Sequence, residues 1–147
     1  MKGEHYPLDF TPGKEFFFFQ SMGPKGIFQK AIWFDRLSVD EPVFNLALCV
    51  VRGGMFEDDL LTNNEDFVKT ISTVAKAIQD FFKTYPDAVI QVRALGEKRL
   101  RIYNRIFQRK YHELEELYFI EGILQNKREP YQPDRFYDYF EISLGKK

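Results

Sequence analysis

Apolar positions follow two different periods along this chain, and the change of period marks its elements. From Glu15 to Ser21 the run EFFFFQS is almost wholly apolar and reads as a buried strand. Met22-Gly23-Pro24-Lys25-Gly26 supplies turn chemistry, since Gly permits positive φ and Pro fixes its own. Gly26 to Asp35 (GIFQKAIWFD) reads as the partner strand, and after Asp40-Glu41-Pro42 a third strand covers Val43 to Val51. The short connections predict an antiparallel three-stranded meander. The period then lengthens. Phe67, Val68, Ile71, Val74, Ala75, Ile78, Phe81 and Phe82 recur every three or four residues, giving one apolar stripe about five turns long. Thr62 and Glu65 form a capping box before this helix, and Tyr85-Pro86-Asp87 ends it.

Ala88 to Leu95 returns to a strand pattern, and Gly96 opens a second helix that reaches Glu115. Two more strands, Tyr118 to Leu124 and Phe136 to Leu144, flank a Pro-containing loop. The expected fold is α+β in the order βββαβαββ, with the helices packed on one sheet and a topology like that of RNase H-like folds. Nucleases of that fold hold two metal ions with carboxylates, one from an Asp in the first strand and one from an Asp ending the fourth. Here the first strand is a row of phenylalanines, and the fourth has only Asp87 ahead of it. A two-metal nuclease is therefore not expected. Glu57, Asp58, Asp59 and Asp66 gather near the start of the first helix, where the helix dipole favours negative charge; they read as solvated loop acids.

Length and composition narrow the class. The chain's 147 residues fit a single domain over 1–147, with a loose N-terminal segment over 1–14 broken by Pro7 and Pro12. Aromatic residues make up 17% of the sequence, a large supply of core-forming area. The single cysteine, Cys49, excludes an internal disulfide and a Cys-rich zinc site. No apolar run is long enough to span a bilayer or serve as a signal core, so a cytoplasmic protein without membrane contact is expected.

Charge is uneven behind a net −1. Between Arg93 and Lys110, seven basic residues stand against Glu97 alone, +6; between Asp35 and Asp66, eight acids stand against Arg36 and Arg52, −6. On a helical wheel Leu100, Tyr103, Phe107, Tyr111 and Leu114 share one side, and Lys98, Arg101, Arg105, Arg109 and His112 lie nearly opposite. A one-face stripe of guanidinium groups suits phosphate or carboxylate oxygens, and Gly96 leaves free amides at the helix start. The candidate anion or nucleic-acid contacts are Gly96, Lys98, Arg99, Arg101, Arg105 and Arg109. The same stripe also fits a solvated helix face, or one paired with acidic loops of this chain or of a second subunit. Ile102 and Ile106 flank it. No nucleotide-binding loop, serine-hydrolase elbow or zinc-protease motif occurs, and His5 and His112 have no evident partner. No catalytic residue, metal site or cofactor is expected.

Gly23 to Gly26 (GPKG), Phe44 to Leu48 (FNLAL), Asp58 to Asp66 (DDLLTNNED) and Thr73 to Ile90 (TVAKAIQDFFKTYPDAVI) resemble a family of small bacterial proteins, frequent in Bacteroidetes and known only as a domain of unknown function. The resemblance runs over nearly the whole chain. It implies a strand followed by Gly-Ser-Thr and a helix starting Arg-x-Arg-Leu-Tyr. Arg99, Arg101, Ile102 and Tyr103 match the second part; Ala94, Leu95 and Gly96 replace the first. The family brings no activity to carry over.

The leading expectation is a non-enzymatic binding module whose basic helix face meets an anionic partner: nucleic acid, an acidic protein surface, or another copy of itself. The alternatives are a toxin–antitoxin or defence-related effector acting on nucleic acid, and a purely oligomerising structural protein.

Overall fold

The computed structural model describes residues 3–58 and 66–145. These hold two helices and nine strands in the order β1 (Asp9–Phe10), β2 (Phe16–Gly23), β3 (Gly26–Arg36), β4 (Val43–Arg52), β5 (Met55–Asp58), α1 (Phe67–Thr84), β6 (Val89–Arg93), α2 (Glu97–Glu115), β7 (Phe119–Leu124), β8 (Lys127–Pro130) and β9 (Tyr139–Ser143). The fold is mixed α+β, with more strands than the eight expected elements allow. The chain gathers into two compact units: Met1–Asp35 with Ala47–Tyr85, and Arg36–Leu46 with Pro86–Lys147.

In the first unit β1, β2, β3 and β4 lie side by side, and β5 pairs with β4. The two-residue turn Pro24-Lys25 closes the β2–β3 hairpin, where Gly23 faces Gly26 and Gly26 holds φ 118°. Alternation along β2 sends Phe17, Phe19 and Ser21 into the core and Phe16 and Phe18 to the other face. There Phe16 stacks on Trp33 at 5.5 Å. On the core side Phe34 stacks on Phe81 of α1 at 4.1 Å and meets Phe17 edge-on.

The buried face of α1 is rotated from the expected stripe. Phe67 and Val68 are exposed, while Thr70, Ser72, Thr73, Ala77, Ile78, Phe81 and Phe82 are buried. The cause is the N-terminal segment, read from its prolines as loose. Tyr6 is buried at 2% exposure, and its backbone N–H donates to Thr73 Oγ1, which in turn donates to the Lys69 carbonyl. Small hydroxyl side chains therefore occupy buried positions that an apolar count passes over. The capping box of Thr62 and Glu65 lies outside the described residues; the helix is described from Phe67, with Asp66 preceding it.

In the second unit the strand order is β4-β6-β9-β7-β8. The first half of β4 runs parallel to β6, pairing Val43 with Val89 and Asn45 with Gln91. β9 lies antiparallel to both β6 and β7, so β6 and β7 run parallel with β9 inserted between them. A parallel pair needs a crossover, and α2 supplies it. Its Phe107 stacks on Phe140 of β9 at 4.0 Å, with Tyr131 and Tyr137 alongside.

The segment expected as a Pro-containing loop holds β8. Gln125 and Asn126 both take left-handed backbone (φ 51° and 67°) and turn the β7–β8 hairpin without a glycine, so the usual turn signal is missing. The last strand starts at Tyr139 rather than Phe136, because the preceding residues are fixed differently. Asn104 of α2 donates from its side-chain amide to the Tyr137 carbonyl and accepts from the Tyr137 N–H (3.0 and 2.8 Å). The buried Tyr137 ring lies flush against Gly122, where any Cβ would run into it.

Candidate functional site

Gly96 opens α2 with φ 94° and ψ 158°, a conformation that favours glycine, and it is exposed. The core side of α2 buries Asn104, Phe107 and Leu114. On the opposite side Lys98, Arg101, Arg105 and Arg109 are all exposed, as the wheel requires. At about 1.5 Å of rise per residue they make a stripe roughly 16 Å long. Arg99 does not join it. It sits about a quarter-turn away and is half-buried. Arg101 lies 4.0 Å from Glu97 across an exposed i,i+4 pair, whereas Lys98, Arg105 and Arg109 have no ion pair among the described residues.

Of the charges in this stripe only Lys98 lies in a terminal turn, where the field of the helix disfavours it. A helix N-terminus is the positive end of the backbone dipole and favours acids; the C-terminus favours bases. The first turn of α2 carries Lys98 and Arg99 against Glu97, and the last turn carries Glu113 and Glu115 against His112. Local pairs recover part of this, Lys110 to Glu113 at 3.7 Å and His112 to Glu115 at 3.3 Å. Such exposed pairs contribute only about 0.3–0.5 kcal/mol each.

Two polar clusters had no signal in the sequence. In the first unit the Asp66 carboxylate accepts from Ser21 Oγ (2.5 Å) and from the Tyr6 hydroxyl (2.7 Å), which itself accepts from the Met22 N–H (3.1 Å). Burial pushes the Asp66 carboxyl up; hydrogen bonds from Ser21, Tyr6 and Thr70 and the nearby Lys30 ammonium outweigh it and hold it below its ordinary value. Burial, then the bond to Asp66, raises the Tyr6 phenol. With Ser21, Lys30 and Tyr6 all buried, the cluster is an anchor for the N-terminal segment. Of the loop acids Glu57, Asp58, Asp59 and Asp66, Asp59 and the side chains of Glu57 and Asp58 lie outside what the structure describes, and Asp66 is half-buried and bonded within this cluster.

In the second unit Arg128 bridges Glu121 and Glu141, and Glu141 also accepts from Gln91 at 2.7 Å. Arg93 donates to Gln91 and lies 3.6 Å over the Tyr139 ring. These side chains come from β6, β7, β8 and β9 and saturate one another, a cross-strand ladder. A third interaction, the Tyr137 hydroxyl donating to Glu129 (2.5 Å), goes with a phenol pushed up to about 12, chiefly by burial and then by that carboxylate.

His5 meets the Tyr6 carbonyl at 2.9 Å, and His112 lies 3.3 Å from Glu115 and beside the Tyr111 ring. Among the described residues no three potential ligands gather to hold a metal ion. β2 and β6 carry no carboxylate. No described helix is long and apolar enough to cross a membrane.

No curated protein and no solved structure matches the chain. A family model matches residues 2–145, nearly the whole sequence, and the chain belongs to this family of unknown function (DUF6934).

Proposed function

We propose that the protein is a non-enzymatic, cytoplasmic binding module that engages an anionic partner through the outer face of α2. The observation that carries this reading is the row of exposed cations Lys98, Arg101, Arg105 and Arg109, of which Lys98, Arg105 and Arg109 have no ion pair among the described residues. Guanidinium forks on one face suit carboxylate or phosphate oxygens, which they can bind through two parallel hydrogen bonds.

The test is direct. The chain is purified through a high-salt step, any nucleic acid that co-purifies at low salt is sequenced, and the protein is titrated with a single-stranded RNA, a duplex DNA and poly-L-glutamate at several salt concentrations. Binding to at least one polyanion is expected, weakening steeply with salt and abolished by Arg101→Glu, Arg105→Glu and Arg109→Glu together. Binding that survives the reversal with its salt dependence unchanged, or no binding to any of the three, overturns the reading.

A further inference from the structure

The loop between β3 and β4 carries an exposed feature that chain packing does not explain. Val39 is 92% exposed and Leu37 50% exposed, and beside them Asp40 and Glu41 are both exposed. An isolated exposed apolar residue is ordinary, but this loop is held in a fixed shape. Ser38 Oγ accepts from the N–H groups of Asp40 and Glu41 (3.2 and 3.3 Å), and Arg36 Nε donates to the Ser38 carbonyl (2.8 Å). The Leu37 N–H donates to the Val43 carbonyl, and the Val89 N–H to the Pro42 carbonyl, both at 2.8 Å. The Arg36 guanidinium also lies over the Phe44 ring at 5.4 Å. A rigid loop that holds two apolar side chains and two acids in water is a preorganised ligand, with little ordering cost left for binding.

The same compact unit carries the complementary surface. The outer face of α2 presents Lys98, Arg105 and Arg109, with Ile102 and Ile106 beside them and Leu95 72% exposed at the helix start. The acids of the loop and the cations of the helix do not meet within the chain: Asp40 and Glu41 form no ion pair among the described residues, and neither do those three cations.

We infer that the anionic partner of α2 is a second copy of this chain, whose Leu37–Glu41 loop docks on the Lys98–Arg109 face. This rests on the reading of α2 as an anion-binding surface and names its partner. The contact pairs unlike surfaces, so it closes as a reciprocal dimer or ring, or grows as an open chain.

Sedimentation velocity at low salt tests it, on the native chain, on Asp40→Lys/Glu41→Lys, and on Arg101→Glu/Arg105→Glu/Arg109→Glu. The native chain is expected to self-associate, and salt to weaken it. Each reversal should weaken self-association at least about tenfold, as should Val39→Lys alone. Mixing the two reversed variants should restore association, because the intact loop of one meets the intact helix of the other. All substituted side chains are exposed, and circular dichroism checks that each variant folds. A native chain that stays monomeric, or association that survives both reversals, overturns the inference. If the monomeric chain still binds RNA, DNA or poly-L-glutamate through α2, the binding module stands with a different partner; if it binds none of them, both readings fail together.

Discussion

The two helices are nearly equal in length, 18 residues in α1 and 19 in α2, yet each is explained by its surroundings to a different degree. α1 buries seven side chains, from Thr70 to Phe82, and its sequence is accounted for by what it packs against. α2 buries only Asn104, Phe107 and Leu114. Phe107, Asn104 and Leu114 fix its inner side, and its outer side carries the cations Lys98, Arg105 and Arg109 with no ion pair among the described residues. Where packing accounts for a helix, its residues report on stability. Where packing leaves a face unexplained, that face reports on function.

The largest expected effects probe how each helix is held. Phe81→Ala and Phe107→Ala should each cost about 3–5 kcal/mol in urea unfolding, since both remove a buried stacked ring. Hydrogen exchange separates them. After Phe81→Ala the amides of α1 should stay protected, because Ala77, Ile78 and Phe82 still hold it; after Phe107→Ala those of α2 should lose protection selectively. Equal loss in both helices contradicts the contrast. Next in size is Asn104→Ala, which leaves the Tyr137 N–H and carbonyl without their side-chain partner and should cost about 2–4 kcal/mol. Gly122→Ala, forced against the Tyr137 ring, should cost about 1–3 kcal/mol by the same measurement.

A pH titration sharpens the comparison from the other unit. The Asp66 carboxyl lies below its ordinary value when folded, so its contribution is present above the unfolded pKa of about 3.9 and is lost as pH falls through the lower folded value. Asp66→Asn should flatten this acid limb of the stability curve. Tyr137 has the opposite sign: its phenol is raised to about 12, so its contribution is present below the unfolded pKa and disappears as pH rises through that value. The smallest effect is the most particular to α2. Lys98→Glu or Glu115→Lys should leave stability unchanged or raise it by about 0.3–1 kcal/mol, since each brings a charge into line with the helix dipole.

Much of this was legible in the sequence where one period dominates. The β2–β3 hairpin follows from its glycines and the flanking apolar runs, and the position of α2 and its two faces follow from the wheel, because both are local patterns. Long-range bonds made by polar atoms left no periodic trace. Tyr6 directly precedes Pro7 and is buried through Thr73, Asp66 and Met22, each distant in sequence. The β7–β8 hairpin turns on Gln125 and Asn126 without glycine. Within the proposed site the row of cations was visible from spacing, with Arg99 placed in it by proximity in sequence and removed by its half-buried position. The rigid loop at Leu37 to Glu41 was not visible, because rigidity there comes from Ser38 and from backbone bonds to Val43 and Val89.

The central claim is that the cations of α2 are not present for the stability of the fold. Urea unfolding of Arg101→Glu/Arg105→Glu/Arg109→Glu beside the native chain tests it most directly. The account predicts unfolding free energies equal within about 0.5 kcal/mol, as for surface changes that break no packing, together with loss of binding to the anionic partner. A variant destabilised by about 2 kcal/mol or more would show that these side chains hold the molecule itself together, and would contradict the account.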